Sequence, residues 1–264
     1  MLGIDVPTPS RFIKHDRIEE IATKCNQEYR KLRKHPVGFP VNVEEFAEFD
    51  LEVAIEWDEI SAPEFTTVFA KCCPDPNNER GGIVVINNQW AELFKYRPDI
   101  LRSCMGHEIG HFILRHHSWR NVSNATLPLF GDLQSESPYL HDSSWNPNAF
   151  KKSELDELCR KAFTGNEDAR QKLIQLQNRL EPDWMFWQAE HFSACFLIPH
   201  DKLYQYLNDG YDFTNWASIN QLADIFGVSP SMMKVRLLKL GAIAIENGKP
   251  KLGQKFLQPG MFSG

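Results

Sequence analysis

The sequence predicts an α+β fold, mainly helical, with a small β-sheet ahead of a helix that carries two histidines. Three observations predict it. Apolar residues recur with helical spacing over residues 17–32, 97–117 and 184–198. Short β-branched and aromatic segments alternate with period 2 between residues 51 and 88. The pentapeptide His107-Glu108-Ile109-Gly110-His111 falls inside the second helical stretch. The 264 residues admit one large domain or two modest ones, at about 100–200 residues each. Apolar residues at 42% and aromatics at 12% can bury a sizeable core, which excludes a mostly disordered chain or a fibrous repeat. With 29 basic and 35 acidic residues the net charge is −6, so bulk charge does not favour coating nucleic acid; a small basic face is still compatible.

In chain order, an amphipathic helix over residues 17–32 presents Ile18, Ile21, Ala22, Cys25 and Tyr29 to the core. Residues 51–57, 66–72 and 82–88 read as three strands joined by turns, forming an antiparallel or mixed sheet. Pro98 opens the histidine helix, where its missing N–H is tolerated. Residues 118–182 form a long insertion whose first part, to residue 149, is polar and turn-prone and reads as a surface excursion. Helical patterning returns at 151–163, 166–180 and 184–198, where Pro199 ends it. The layout expected is one domain over 1–245: an N-terminal helix within 1–40, the sheet and histidine helix over 50–117, the insertion over 118–182, a helix at 184–199 and a closing segment at 218–243. Residues 246–264, punctuated by Gly and Pro, read as a tail.

The chemistry lies in His107-Glu108-Ile109-Gly110-His111. Two histidines at i and i+4 project from one helix face, where both imidazoles can meet one zinc ion. Glu108 beside them suits a general base acting on a water whose pKa zinc lowers to roughly 7. The flanking residues Cys104, Met105, Phe112 and Leu114 are apolar, and buried polar groups need partners, which a metal provides. Gly110 costs a helix interior about 1 kcal/mol against Ala, which is reasonable where another backbone passes close by. A catalytic zinc takes three protein ligands. On a wheel of about 100° per residue, Phe186, Ala189, Phe192, Ser193 and Phe196 cluster, Glu190 falls at the edge of that stripe, and His191 points the opposite way. A carboxylate there is costly to bury unless paired or ligated, so Glu190 is the candidate third ligand, the alternative being an acid at a core boundary.

Three separated pieces resemble the ImmA/IrrE-type zinc metallopeptidases. They are residues 104–114, residues 189–199, similar to the family's A-N/D-x-F-A-x-x-L-L-M-P helix, and residues 222–241, similar to its closing L-A-x-x-F-x-V-S segment with R-L-x-x-L-G. Together they span about residues 80 to 245. The resemblance implies a zincin-like metallopeptidase domain with Zn2+ as cofactor, His107 and His111 as ligands and Glu108 as catalytic residue. In the family a Glu three residues before the Ala matching Ala189 is the third ligand, and this sequence has Phe186 there. Glu190, one turn later on nearly the same face, could substitute, and Asp183 could swing in from the helix start. The gap between His111 and this helix is longer than in the family, and the insertion filling it is expected to act as a lid, a partner-binding element or a regulatory plug.

The resemblance further implies a selective protease that cuts a helix-turn-helix repressor or antitoxin-like partner. The rival expectation is a catalytically degenerate zincin that binds a regulator or DNA through residues 219–241, read as a helix-turn-helix with residues 230–240 as recognition helix. Its only basic residues are Lys234, Arg236 and Lys239, a thin footprint for groove binding, so nucleic acid is not the favoured partner. Its Met232, Met233, Val235, Leu237, Leu238 and Leu240 are expected to bury. His116 and His117 are expected at the surface, Cys104 in the core, and Cys72 and Cys73 as strand-end packing rather than a redox latch on the zinc. Six cysteines without a C-x-x-C pair read as reduced thiols. The opening MLGIDVPTPSRFIKHDRIEE lacks the layout of a secretory signal, and no stretch has the roughly 20 apolar residues that span a bilayer. The expected compartment is the cytoplasm, with no membrane partner.

Overall fold

A computed structural model describes residues 13–33, 38–60, 68–74, 82–116, 141–144, 161, 166, 168–169 and 183–253, with the side chains of 141–144 and 183–184 outside that description. The architecture is α+β and mainly helical. Helix α1, His15–Lys31, buries the five residues expected of it and Asn26 as well. A short helix α2, Val43–Glu45, is capped by the Asn42 side chain, which accepts from the Glu45 N–H, and runs on as one π-turn, Phe46–Asp50.

Strands β1 (Val53–Asp58), β2 (Val68–Pro74) and β3 (Gly82–Asn87) lie in one sheet ordered β1-β3-β2-β4. The sheet is mixed. β1 runs parallel to β3 in the register Val53↔Gly82 to Asp58↔Asn87, while β2 is antiparallel to β3. The fourth strand, β4, is His141–Ser144, antiparallel to β2. It corrects the sequence expectation of a surface excursion here, because four polar residues offered no period-2 apolar signal. The helices expected over 151–163 and 166–180 lie almost wholly outside the described residues.

After β3 a 3₁₀ turn and helix α3 (Ala91–Tyr96) lead into helix α4, Pro98–Ile113, with Pro98 in its first turn. It ends short of the expected residue 117. Leu114 caps it, and Arg115 takes a left-handed backbone conformation at φ 55 that reverses the chain. Helix α5, Asp183–Leu197, runs between α4 on one side and α1 on the other. The Asn26 amide of α1 donates to the Phe196 carbonyl at 2.9 Å. Pro199 then starts helix α6, His200–Asn208.

Helix α7, Trp216–Phe226, begins ahead of the closing segment expected from residue 218, because Asn215 caps it by accepting from the Ala217 N–H. Gly227, left-handed at φ 62, closes it, and Ser229 caps helix α8, Pro230–Lys239. A hairpin of β5 (Ile243–Glu246) and β6 (Lys249–Leu252) follows. It corrects the expected tail: the Trp216 indole N–H donates to the Gly248 carbonyl at 2.9 Å, so the fold continues to residue 253. One core cluster joins α1, the sheet, α4, α5, α7 and α8, with Phe46, Phe192, Phe196 and Phe226 fully buried. Among the described residues no helix is long and apolar enough to cross a membrane.

Candidate metal centre

Helices α4 and α5 can approach closely because small residues face each other. A Cβ placed on Gly110 would stand 3.0 Å from the Ala189 carbonyl oxygen, and one on Gly106 would stand 2.5 Å from the Ser193 Oγ. The close backbone passage expected at Gly110 is therefore present. It brings Phe186, Gln188 and Glu190 of α5 to the histidine cluster at α4.

His107 and His111 are both buried, their ring centroids 4.8 Å apart and their Nε2 atoms 3.1 Å apart. Two nitrogens bound to one tetrahedral zinc at the usual 2.0–2.1 Å lie about 3.3 Å apart, so this pair fits an edge of such a site. Glu108 is fully buried beside them. Glu190 also reaches the cluster, but its Oε2 lies 3.5 Å from Nδ1 of His107, the nitrogen facing away from His111. The three residues thus meet without their three donor atoms converging on one point. Glu190 has a side chain 46% exposed, which leaves room to rotate toward the Nε2 side. In this conformation it addresses the rear of His107, as a carboxylate orienting a metal-ligating imidazole does. The Phe186 ring lies 4.7 Å from that of His107, occupying the place where the resembled family carries its Glu. The side chain of Asp183, the alternative carboxylate, is outside the described residues.

Two further polar residues belong to the centre, and sequence reasoning missed both. His116, expected at the surface, is fully buried: the reversal at Arg115 folds it back under α4. Its Nδ1 is 2.7 Å from Nδ1 of His111, and its Nε2 is 3.0 Å from Oε1 of buried Gln188 on α5. His117 lies outside the described residues.

A second group of possible ligands, Glu19, His191 and Cys195, has donor atoms within 4.8 Å of one another. It is held differently. Arg236 donates from two nitrogens to both oxygens of Glu19, one contact being 2.7 Å, and from Nε to the Ile198 carbonyl at 3.0 Å. His200 adds a contact to Glu19 at 3.2 Å. Burial raises the pKa of Glu19, but the hydrogen bonds and charge of Arg236 and His200 outweigh it and hold the carboxyl well below its usual range. Burial pushes the Cys195 thiol up. The His191 pKa is pushed down to about 4 by burial first, then by Lys239, His15 and Arg236. A carboxylate already clasped by a guanidinium is a poor anchor for a cation, so this cluster serves first as an ion-pair network joining α1, α5 and α8. His191, which the wheel sets opposite the Phe-rich stripe, is nonetheless buried. Helix α1 packs on that side, with the His15 ring 4.8 Å away and Trp187 stacked at 5.7 Å.

The closing helix departs from expectation too. Arg236, one of three basic residues offered to DNA, is 1% exposed. Met233 and Leu237 are buried as expected, whereas Val235 and Leu238 are exposed. Cys72 lies in the main core and Cys73 packs on the small Ile60, Val68 and Val85 cluster, while half-buried Cys104 packs on the main core.

Residues 157–238 match the Peptidase_M78 family model, the IrrE N-terminal-like domain, which is the family the motifs resemble. The matched span includes α5, α7 and α8 and lies C-terminal to His107 and His111. No curated protein matches the chain.

Proposed function

We propose, from that match to a peptidase family, that this chain is a zinc-dependent endopeptidase acting in the cytoplasm on a helix-turn-helix repressor or antitoxin-like protein. The observation that carries the reading is the pair of buried imidazoles whose Nε2 atoms face each other at 3.1 Å with Glu108 buried alongside. His107 and His111 would hold the ion, with Glu190 as third ligand after a side-chain rotation. Zinc, when bound, supplies Lewis acidity toward a peptide carbonyl and a lowered pKa for water. Glu108 takes the proton of the attacking water and delivers it to the leaving amine. The half-buried Phe186 ring, packed against His107, covers that side of the imidazole. The substrate class rests on the family resemblance alone.

A second reading, a degenerate zincin that binds a regulator, is favoured by one observation: Phe186 sits against His107 while Glu190 faces its Nδ1. Elemental analysis separates the two. The enzyme reading expects one zinc per chain in wild type and Glu108→Gln, less in Glu190→Ala, and loss in both variants of cleavage of a co-expressed repressor. Wild-type protein that stays zinc-free after supplementation would overturn it.

A further inference from the structure

We infer that Gln188, acting through His116, fixes His111 in the tautomer whose Nε2 carries a bare lone pair, the form a metal requires. Gln188 and His116 are then positioning residues of the centre. The inference deepens the metal reading above and rests on it for its functional meaning.

The chain of contacts is His107 Nε2, 3.1 Å, His111 Nε2; His111 Nδ1, 2.7 Å, His116 Nδ1; His116 Nε2, 3.0 Å, Gln188 Oε1. All four side chains are buried. An amide oxygen only accepts, so the hydrogen at the far end belongs to His116 Nε2. A neutral imidazole carries one N–H, which leaves His116 Nδ1 as acceptor. The proton between the two Nδ1 atoms therefore sits on His111, and His111 Nε2 is left unprotonated toward His107. One amide oxygen thereby sets the protonation of a ring two residues along the chain. An amide turned the other way would reverse every bond and place a hydrogen on His111 Nε2, where it would block a metal.

Two features outside the chain of contacts hold it in place. Arg115 adopts φ 55, a conformation unfavourable by about 1–2 kcal/mol for a residue with a Cβ, and that reversal is what carries His116 back to His111. Gln188 precedes Ala189, the residue that packs on Gly110, so the closest approach of the two helices fixes its height against His116. Outer partners of this kind typically change metal affinity 10–100-fold.

The test reads the tautomers directly. Long-range ¹H–¹⁵N correlation spectra of the metal-free full chain, at mildly alkaline pH, are expected to show His111 protonated on Nδ1 and His116 on Nε2. Gln188→Glu, which keeps an acceptor, should preserve both. Gln188→Leu should give mixed tautomers and weaken zinc binding, by chelator competition, roughly 10–100-fold. A wild-type His111 protonated on Nε2, or unchanged tautomers in Gln188→Leu, overturns the inference even if zinc binds. Expected tautomers in a wild-type protein that binds no zinc would uphold the relay and overturn the metal reading instead.

Discussion

Gly110 and Ala189 are in backbone contact across helices α4 and α5: a Cβ on Gly110 would lie 3.0 Å from the Ala189 carbonyl oxygen and 3.1 Å from its Cα. The candidate centre depends on that contact, because Phe186, Gln188 and Glu190 all reach the histidines from the helix it brings close. Gly110→Ala gains about 1 kcal/mol of helix propensity but forces two backbones apart. Backbone cannot yield as a side-chain tip does, so overpacking wins. A net destabilisation of about 1–3 kcal/mol is expected, read as a lower urea midpoint together with weaker zinc binding.

Replacing Phe186 by Glu puts a carboxylate where the ring now touches His107, 4.7 Å between centroids. Phe186→Glu is expected to tighten zinc binding and to leave one metal per chain. Unchanged affinity in isothermal titration would mean that position 186 does not face the ion.

The Glu19–Arg236 pair ties α1 to α8, with Arg236 buried and Glu19 half-buried. Removing one partner strands the other charge, so Glu19→Gln is expected to cost about 3–5 kcal/mol of unfolding free energy. Lys239→Ala, on the exposed face of the same helix, is expected within about 0.5 kcal/mol of wild type. Denaturant melts of the two variants check the contrast.

Acid should destabilise the fold in two stages. His191 has its pKa depressed from 6.5 to about 4, so the folded state favours the neutral ring. That contribution, about 3 kcal/mol, is complete above the unfolded value and is lost as pH falls from 6.5 toward 4. Glu19, held below its ordinary 4.5, adds stability that is lost as pH falls further, through and below the carboxylate range. Urea midpoints measured across this range should fall in both windows for wild type. His191→Gln should flatten the upper one only.

The parts of the fold that periodicity encodes were legible. Ile18, Ile21, Ala22, Cys25 and Tyr29 recur at helical spacing and are buried together. Three strands lie close to where they were read, although their burial does not alternate cleanly, the last four residues of β3 all being buried, and Gly110 signalled the helix contact. Strand β4 was not legible, since His141–Ser144 has no apolar face and joins the sheet through backbone pairing to β2. His116 was misplaced because helical extrapolation runs past Ile113, whereas Arg115 turns left-handed and folds it inward. Gln188 was passed over although a wheel of about 100° per residue sets it only about 40° from Phe192, at the margin of the Phe-rich stripe. A buried amide carries no charge to draw attention. Arg236 was read as a surface base because its partner, Glu19, is 217 residues away in sequence.

The most direct test of the metal assignment is zinc-edge X-ray absorption on the zinc-loaded full chain. Occupancy at His107 and His111 predicts nitrogen and oxygen neighbours at about 2.0–2.1 Å with outer-shell scattering from two imidazoles. A sulfur neighbour at about 2.3 Å would contradict it, placing the ion at Cys195 with His191 and Glu19 instead.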